Sequence, residues 1–376
     1  MVMRFRRLGI VPAFVFLCLL IGCGNGSSNT SSTNTMYVAT QSPGEVWGFR
    51  ANFNNGSLTT INGSPFPAKA AATALVIEPG HNFGYVAESA PTNNIDSFSI
   101  DSNGSFVPGG SQAVGADPVA LVMDAGGKYL FVAERGANSV EVFAVGSNAA
   151  LTPAGAVAVT DPVALSISPT ADFLYAVDQV DATVWIFHVD PNTGALSADV
   201  KLPPVPVGNT PSSVVMTPLP TGTTAFPAAT GSFLYVTNRG DNTLSGFKID
   251  DGNSGGTRGD LLSVGAVFSA ATAPVASAVD PSGQFLYIVE HDSNEIRGFR
   301  ITSGTGNLTA LSASPYNTGS GPLSIAISPT NKFLYVSNNF AGTVAGYAID
   351  PQTGNLGTAL APVTVGLQPV GIAFGR

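Results

Sequence analysis

From Met36 to the C-terminus, apolar runs of four to nine residues alternate with clusters of Gly, Asn, Asp, Ser and Thr. Runs this short, bounded by turn residues, predict strands rather than helices. One kind of run contains an aromatic residue and recurs seven times: MYVA (36–39), FGYVA (83–87), YLFVA (129–133), FLYAV (173–177), FLYVT (233–237), FLYIV (285–289) and FLYVS (333–337). With Tyr37, Tyr85, Phe131, Tyr175, Tyr235, Tyr287 and Tyr335 as equivalent markers, the spacings are 48, 46, 44, 60, 52 and 48 residues. Periods of that length belong to solenoids and propellers. About nine residues after each marker comes a second strand ending in an aromatic, as in VWGF (46–49), VEVF (140–143) and IRGF (296–299). A Gly-x-Leu turn then leads to a more variable outer strand.

A third kind of run is rich in small residues and opened by Pro: DPVALVMD (117–124), DPVALSISP (161–169), TPSSVVMTP (210–218), APVASAVDP (273–281) and GPLSIAISP (321–329), with a weaker copy at AATALVIEP (71–79). Pro is tolerated at the first residue of a strand, and small side chains suit a crowded axis. The seventh copy, QPVGIAFG (368–375), ends the chain with nothing after it, whereas the first unit starts directly at its second strand. The two halves complement each other. The expected fold is all-β: a seven-bladed β-propeller of four-stranded antiparallel blades over 36–376. Its C-terminal strand would complete the N-terminal blade and remove the open sheet edges.

Composition agrees. The 376 residues are 44% hydrophobic but only 10% charged, against about 25% in an average chain. Sheets buried on both faces between neighbouring blades account for that combination, and a disordered acidic chain is excluded. Lys plus Arg number 15 against 24 Asp plus Glu, which argues against a nucleic-acid partner. No apolar run approaches the 18 or so residues that each span of a polytopic membrane protein needs.

The first 35 residues follow another logic. Arg4, Arg6 and Arg7 precede a short apolar run, Ile10 to Ile21, broken by Pro12, which is the secretory-signal pattern. Leu20-Ile21-Gly22-Cys23 resembles the lipobox of bacterial lipoproteins, which implies cleavage after residue 22 and lipidation of Cys23. Residues 23–35 would then be a flexible polar tether, and the chain would be held at a membrane by several acyl chains. Gly24 carries no acidic retention signal, so the outer membrane, at its periplasmic or cell-surface face, is the expected location. Losing residues 1–22 removes Cys18 and leaves Cys23 as the one cysteine, so no disulfide is expected and no cysteine is free for catalysis.

FLYVTN (233–238) and FLYVSN (333–338) resemble the YVTN repeat family, and 36–376 is similar to the seven-bladed lactonase propellers related to 6-phosphogluconolactonase. The resemblance implies a propeller and a lactone-opening esterase activity. Arg239, in TNRGDNTLSGF, matches the family's asparagine-arginine turn. The family's Pro-His-x-His element is replaced here by DPVA (161–164) and TPSS (210–213), and its Asp-Leu-Gly-x-Asp turn by VDQVDAT (177–183).

In a propeller, the loops leading into the inner strands and those joining strands two and three share one side of the disc. Of three histidines, only His291 is expected on that side, flanked by Glu290 and Asp292 and one blade from Arg239. A His with a carboxylate partner serves as a general base, and an Arg can stabilise an oxyanion. The same residues also make an ordinary solvated turn. The residues three past each marker are Thr40, Glu88, Glu134, Asp178, Asn238, Glu290 and Asn338, with Arg135 beside them. A ring of carboxylates there would admit a divalent cation such as Ca²⁺, while capping of hairpin turns explains the Asn and Asp equally well. Neither reading requires a cofactor. Two functions stand. The first is a membrane-anchored, monomeric binding or scaffold module engaging an envelope carbohydrate, peptide or protein. The alternative is a hydrolase of small lactones.

Overall fold

The computed structural model describes residues 33–68, 71–219, 232–253, 255–270 and 272–375. The segment expected to be a signal sequence, Cys23 and nearly all of the expected tether lie outside these residues, as does most of the insertion at Pro218–Ser232. The described chain forms strands and turns with no helix, arranged as seven antiparallel sheets. Blade 1 carries Thr33–Ser42 and Glu45–Asn52; blades 2 to 7 open on Ala72–Ile77, Pro118–Met123, Pro162–Ile167, Pro211–Met216, Pro274–Val279 and Pro322–Ile327. These inner strands pack against one another in sequence around the axis.

Ring closure is as the half-repeats predict. Thr33–Ser42 pairs with Glu45–Asn52 on one side and with the C-terminal Leu367–Phe374 on the other, in the register Met36↔Phe374 and Val38↔Ile372. The outer strands vary for a visible reason. Four are split into two short pieces, such as Leu58–Thr60 and Phe66–Pro67 or Leu308–Ala310 and Tyr316–Asn317. A Pro between or within the pieces, such as Pro65 or Pro315, supplies no N–H to the ladder.

The marker tyrosines are buried, and each faces the following blade. Their hydroxyls donate to the carbonyl of a glycine in the outer turn of that blade: Tyr37 to Gly104 (2.6 Å), Tyr175 to Gly259 (2.9 Å), Tyr235 to Gly306 (2.7 Å), Tyr287 to Gly354 (2.5 Å) and Tyr335 to Gly56 (3.0 Å). Burial pushes the Tyr37 phenol up to about 12. The glycine is required twice over. At Gly306 φ is +74°, and a Cβ would come within 2.4 Å of the Phe233 ring. The aromatic pair of the FLY motif is therefore one device: Phe seats the next blade's glycine, and Tyr bonds its carbonyl. The run is broken at blades 2 and 3, where the turn holds Ala149 in place of glycine, the buried Tyr85 hydroxyl has no partner, and the marker of blade 3 is Phe131.

Candidate active site

In blades 2 to 7 the residue three past the marker ends the second strand and still belongs to the ladder, as in Glu134↔Pro118, Asp178↔Pro162 and Glu290↔Pro274. All seven residues of this row are buried. Glu134 accepts from the Gly115 N–H and the Ser139 hydroxyl, both at 2.6 Å. Asp178 accepts from the N–H of Thr160 (3.1 Å), Val180 (3.1 Å) and Asp181 (3.0 Å). Asn238 donates to Thr243 and Ser245 at 3.0 and 2.9 Å, and Asn338 accepts from Thr318 at 3.0 Å. Thr40 donates to the Glu45 carbonyl at 3.3 Å, and Glu88 lies buried with the rest. Of the two readings the sequence offers, these buried contacts are those of turn capping rather than of an open carboxylate ring. They fasten the turn between strands two and three, in several blades to the linker arriving from the previous blade. Among the described residues no three His, Cys, Asp or Glu side chains are grouped to hold a metal ion.

One position later stand Gln41, Ser89, Arg135, Gln179, Arg239, His291 and Asn339, where the second strand runs into its turn. In blades 2 to 7 their backbone N–H donates to the carbonyl just before the inner strand, as from Arg135 to Asp117, Arg239 to Thr210, His291 to Ala273 and Asn339 to Gly321. Two reach across to the next inner strand: Gln179 donates to the Pro211 carbonyl at 2.9 Å and Asn339 to that of Pro369 at 3.2 Å. The residue at this point before the inner strand is usually left-handed, with φ between +48° and +67° at Ala71, Asp117, Thr210, Ala273, Gly321 and Gln368. A one-residue irregularity in each inner-strand ladder follows it, for example between Pro274 and Ala276. The bulge ends the regular alternation at this end of each inner strand.

Three of the predicted residues meet here. His291 Nδ1 lies 2.7 Å from Asp292 Oδ1. Arg239, from the preceding blade, feels the Asp292 charge; burial pushes its pKa down and Asp292 opposes that shift. Glu290 has another role. It is fully buried and accepts from Arg297 Nε at 2.9 Å and from the Ser293 hydroxyl at 3.3 Å, so the carboxylate held on the Nδ1 side of the imidazole is Asp292. The His291 side chain is only 11% exposed, its Nε2 lies out of solvent, and its ring packs edge-on against Phe340 with centroids 5.3 Å apart. Across the mouth, Arg135 is held by Asp117 at 2.6 and 2.8 Å. Burial raises the nearby Asp161 carboxyl, and the Arg135 charge works against it. His188, by contrast, pairs with Asp199 at 3.5 Å beside the outer strand of its blade.

The profile of the family described as "Lactonase, 7-bladed beta-propeller" matches residues 30–215, 226–320 and 279–374. The chain belongs to this lactonase family. A 6-phosphogluconolactonase of Pectobacterium carotovorum is 22% identical over 322 residues, covering 71% of this chain and 90% of the relative. The crystal structure of a Bacteroides fragilis protein superposes on this lactonase-family propeller with a TM-score of 0.77, 22% identity and coverage of 93% and 100% of the two chains. The periplasmic gluconolactonase of Pseudomonas aeruginosa superposes with a TM-score of 0.75 at 21% identity, over 92% of this chain and 99% of that one. At these identities the structural likeness carries the fold. The family membership favours the hydrolase alternative over the binding module.

Proposed function

We propose that the protein is a lactone hydrolase acting at the mouth of the propeller channel, exported and held at the membrane through Cys23. The observation that carries this is the contact between His291 and Asp292 beside Arg239, on the face where the second-to-third turns converge, in a chain of the lactonase family. Asp292 accepts from Nδ1–H and leaves the Nε2 lone pair as the base. Water attacks the lactone carbonyl carbon and gives its proton to Nε2. The carbonyl π pair moves onto oxygen, opposite the Arg239 guanidinium. As that pair returns, the ring C–O bond breaks, and the imidazolium proton passes to the departing alkoxide. The product is the open hydroxy acid, and the base is restored.

The test is hydrolysis of six-membered aldonolactones by the purified protein, corrected for the spontaneous rate. Loss of a general base lowers kcat by about 10²- to 10⁴-fold, which is the result expected for His291→Ala. His188→Ala, on a histidine paired elsewhere, should match the parent. Equal rates for the parent and His291→Ala would remove His291 from the mechanism.

A further inference from the structure

The seven-residue ring around the mouth is uneven. Of its two arginines, Arg135 is ion-paired with Asp117, and Asp292 sets a negative charge near Arg239. A phosphate dianion brought to either would compete with a carboxylate already in place. Next to His291 stands Phe340, 66% exposed and the one exposed aromatic among the large apolar side chains of the described residues. Its position is built. Phe340 lies over Gly321, where a Cβ would fall 2.6 Å from the ring, and the Phe340 N–H donates to the Ser320 carbonyl at 3.2 Å. At the same point before the inner strand the other blades carry Ala71, Asp117, Asp161, Thr210, Ala273 and Gln368, each with a side chain that would occupy this seat. Only blade 7 has the glycine that admits an aromatic ring.

We propose that Phe340 is the specificity-determining residue of this site: it covers the His291 imidazole in the conformation seen here, and it swings aside to take the apolar face of an uncharged cyclic ester. The inference rests on the hydrolase reading above. Because most of Phe340 already faces water, rotating the ring away from His291 gives up little buried apolar area. Bound ligand restores that area by covering the ring with its C–H face, while the ester group reaches the uncovered Nε2. A phosphorylated lactone gains the same contact, but its dianion is opposed by Asp117 beside Arg135 and by Asp292 near Arg239.

The experiment compares the full-length protein with Phe340→Ala and Phe340→Trp on a six-membered aldonolactone and on the same lactone carrying a 6-phosphate. The parent should favour the uncharged lactone. Phe340→Ala should raise its KM by about tenfold, the size of a lost apolar wall, with kcat little changed, and Phe340→Trp should restore it. A second readout needs no turnover: diethyl pyrocarbonate should acylate His291 several-fold faster in Phe340→Ala, with His81 and His188 unchanged. If the parent opens neither lactone, the hydrolase reading fails and the specificity assignment with it. If the parent is active and His291→Ala is not, yet Phe340→Ala keeps the parental KM and acylation rate, the Phe340 assignment alone is overturned. Preference of the parent for the phosphorylated lactone would overturn it as well.

Discussion

The hydroxyl of Tyr235 donates to the carbonyl of Gly306 in the following blade at 2.7 Å, joining residues 71 positions apart across a blade junction. The interaction is buried, so its loss leaves an unsatisfied carbonyl. Tyr235→Phe should cost about 1 kcal/mol, seen as a lower denaturant midpoint with an unchanged slope. Tyr85→Phe is the internal control. The Tyr85 hydroxyl is buried without a partner, so its removal should leave the midpoint unchanged or raise it. Equal losses in the two variants would show that the hydrogen bond contributes nothing beyond the ring.

Gly306 and Gly304 separate backbone strain from collision. Both have φ near +80°, at +74° and +81°, but a Cβ on Gly304 meets nothing within 4 Å, whereas one on Gly306 meets the Phe233 ring. Gly304→Ala should cost about 1 kcal/mol from the left-handed backbone alone. Gly306→Ala adds overpacking of about 1–3 kcal/mol and should lower the thermal midpoint clearly further.

Glu141 gives the blade 2–3 side of the disc a pH dependence. Burial, then the hydrogen bond its protonated carboxyl donates to the Glu134 carboxylate, raises it from 4.5 to about 8. Between those values the folded chain keeps a proton that the unfolded chain has released. Stability therefore falls as pH rises through this window and levels off above about 8. Glu141→Gln should match the parent near pH 4 and exceed it by a growing margin towards pH 8, measured by urea midpoints. A constant difference across that range would contradict the assignment.

Arg297 answers for Glu290. Because the Glu290 carboxylate is fully buried and bonded to Arg297 Nε, Arg297→Ala should cost about 3–5 kcal/mol by leaving an uncompensated charge. Adding Glu290→Gln to that variant should recover part of the loss. Glu290→Gln alone should lower stability more than it lowers lactone turnover, the reverse of what Asp292→Asn should do.

Strand order, blade number and closure were all legible because the seven markers and the two complementary half-repeats repeat a single physical unit. His291, Asp292 and Arg239 were named from the sequence, but the row counted from the markers falls one position early. Counting from the markers leads to Asp178 and Asn338, yet the residues that reach the next inner strand are Gln179 and Asn339. The shift comes from the bulge beside each opening Pro, a backbone event that residue types announce weakly. Alternation does tell one thing in advance: Glu290 and Arg297 lie on paired strands and on one face, since Glu290 opposes Glu295 and Arg297 opposes Ile288. The seat of Phe340 on Gly321 could not be read, because a lone glycine before a Pro also fits an ordinary turn.

The pairing of Met36 with Phe374 makes the ring a test of completeness. Blades 2 to 7 can assemble from neighbours in sequence, but blade 1 lacks its axial strand until the last ten or so residues arrive. Bringing the two ends together costs loop-closure entropy that grows only logarithmically with length, so the delay is kinetic rather than ruinous. A chain cut short by even one strand would leave Thr33–Ser42 with a bare edge, open to pairing with another molecule. The closing strand thus separates finished molecules from fragments whose open edge invites aggregation.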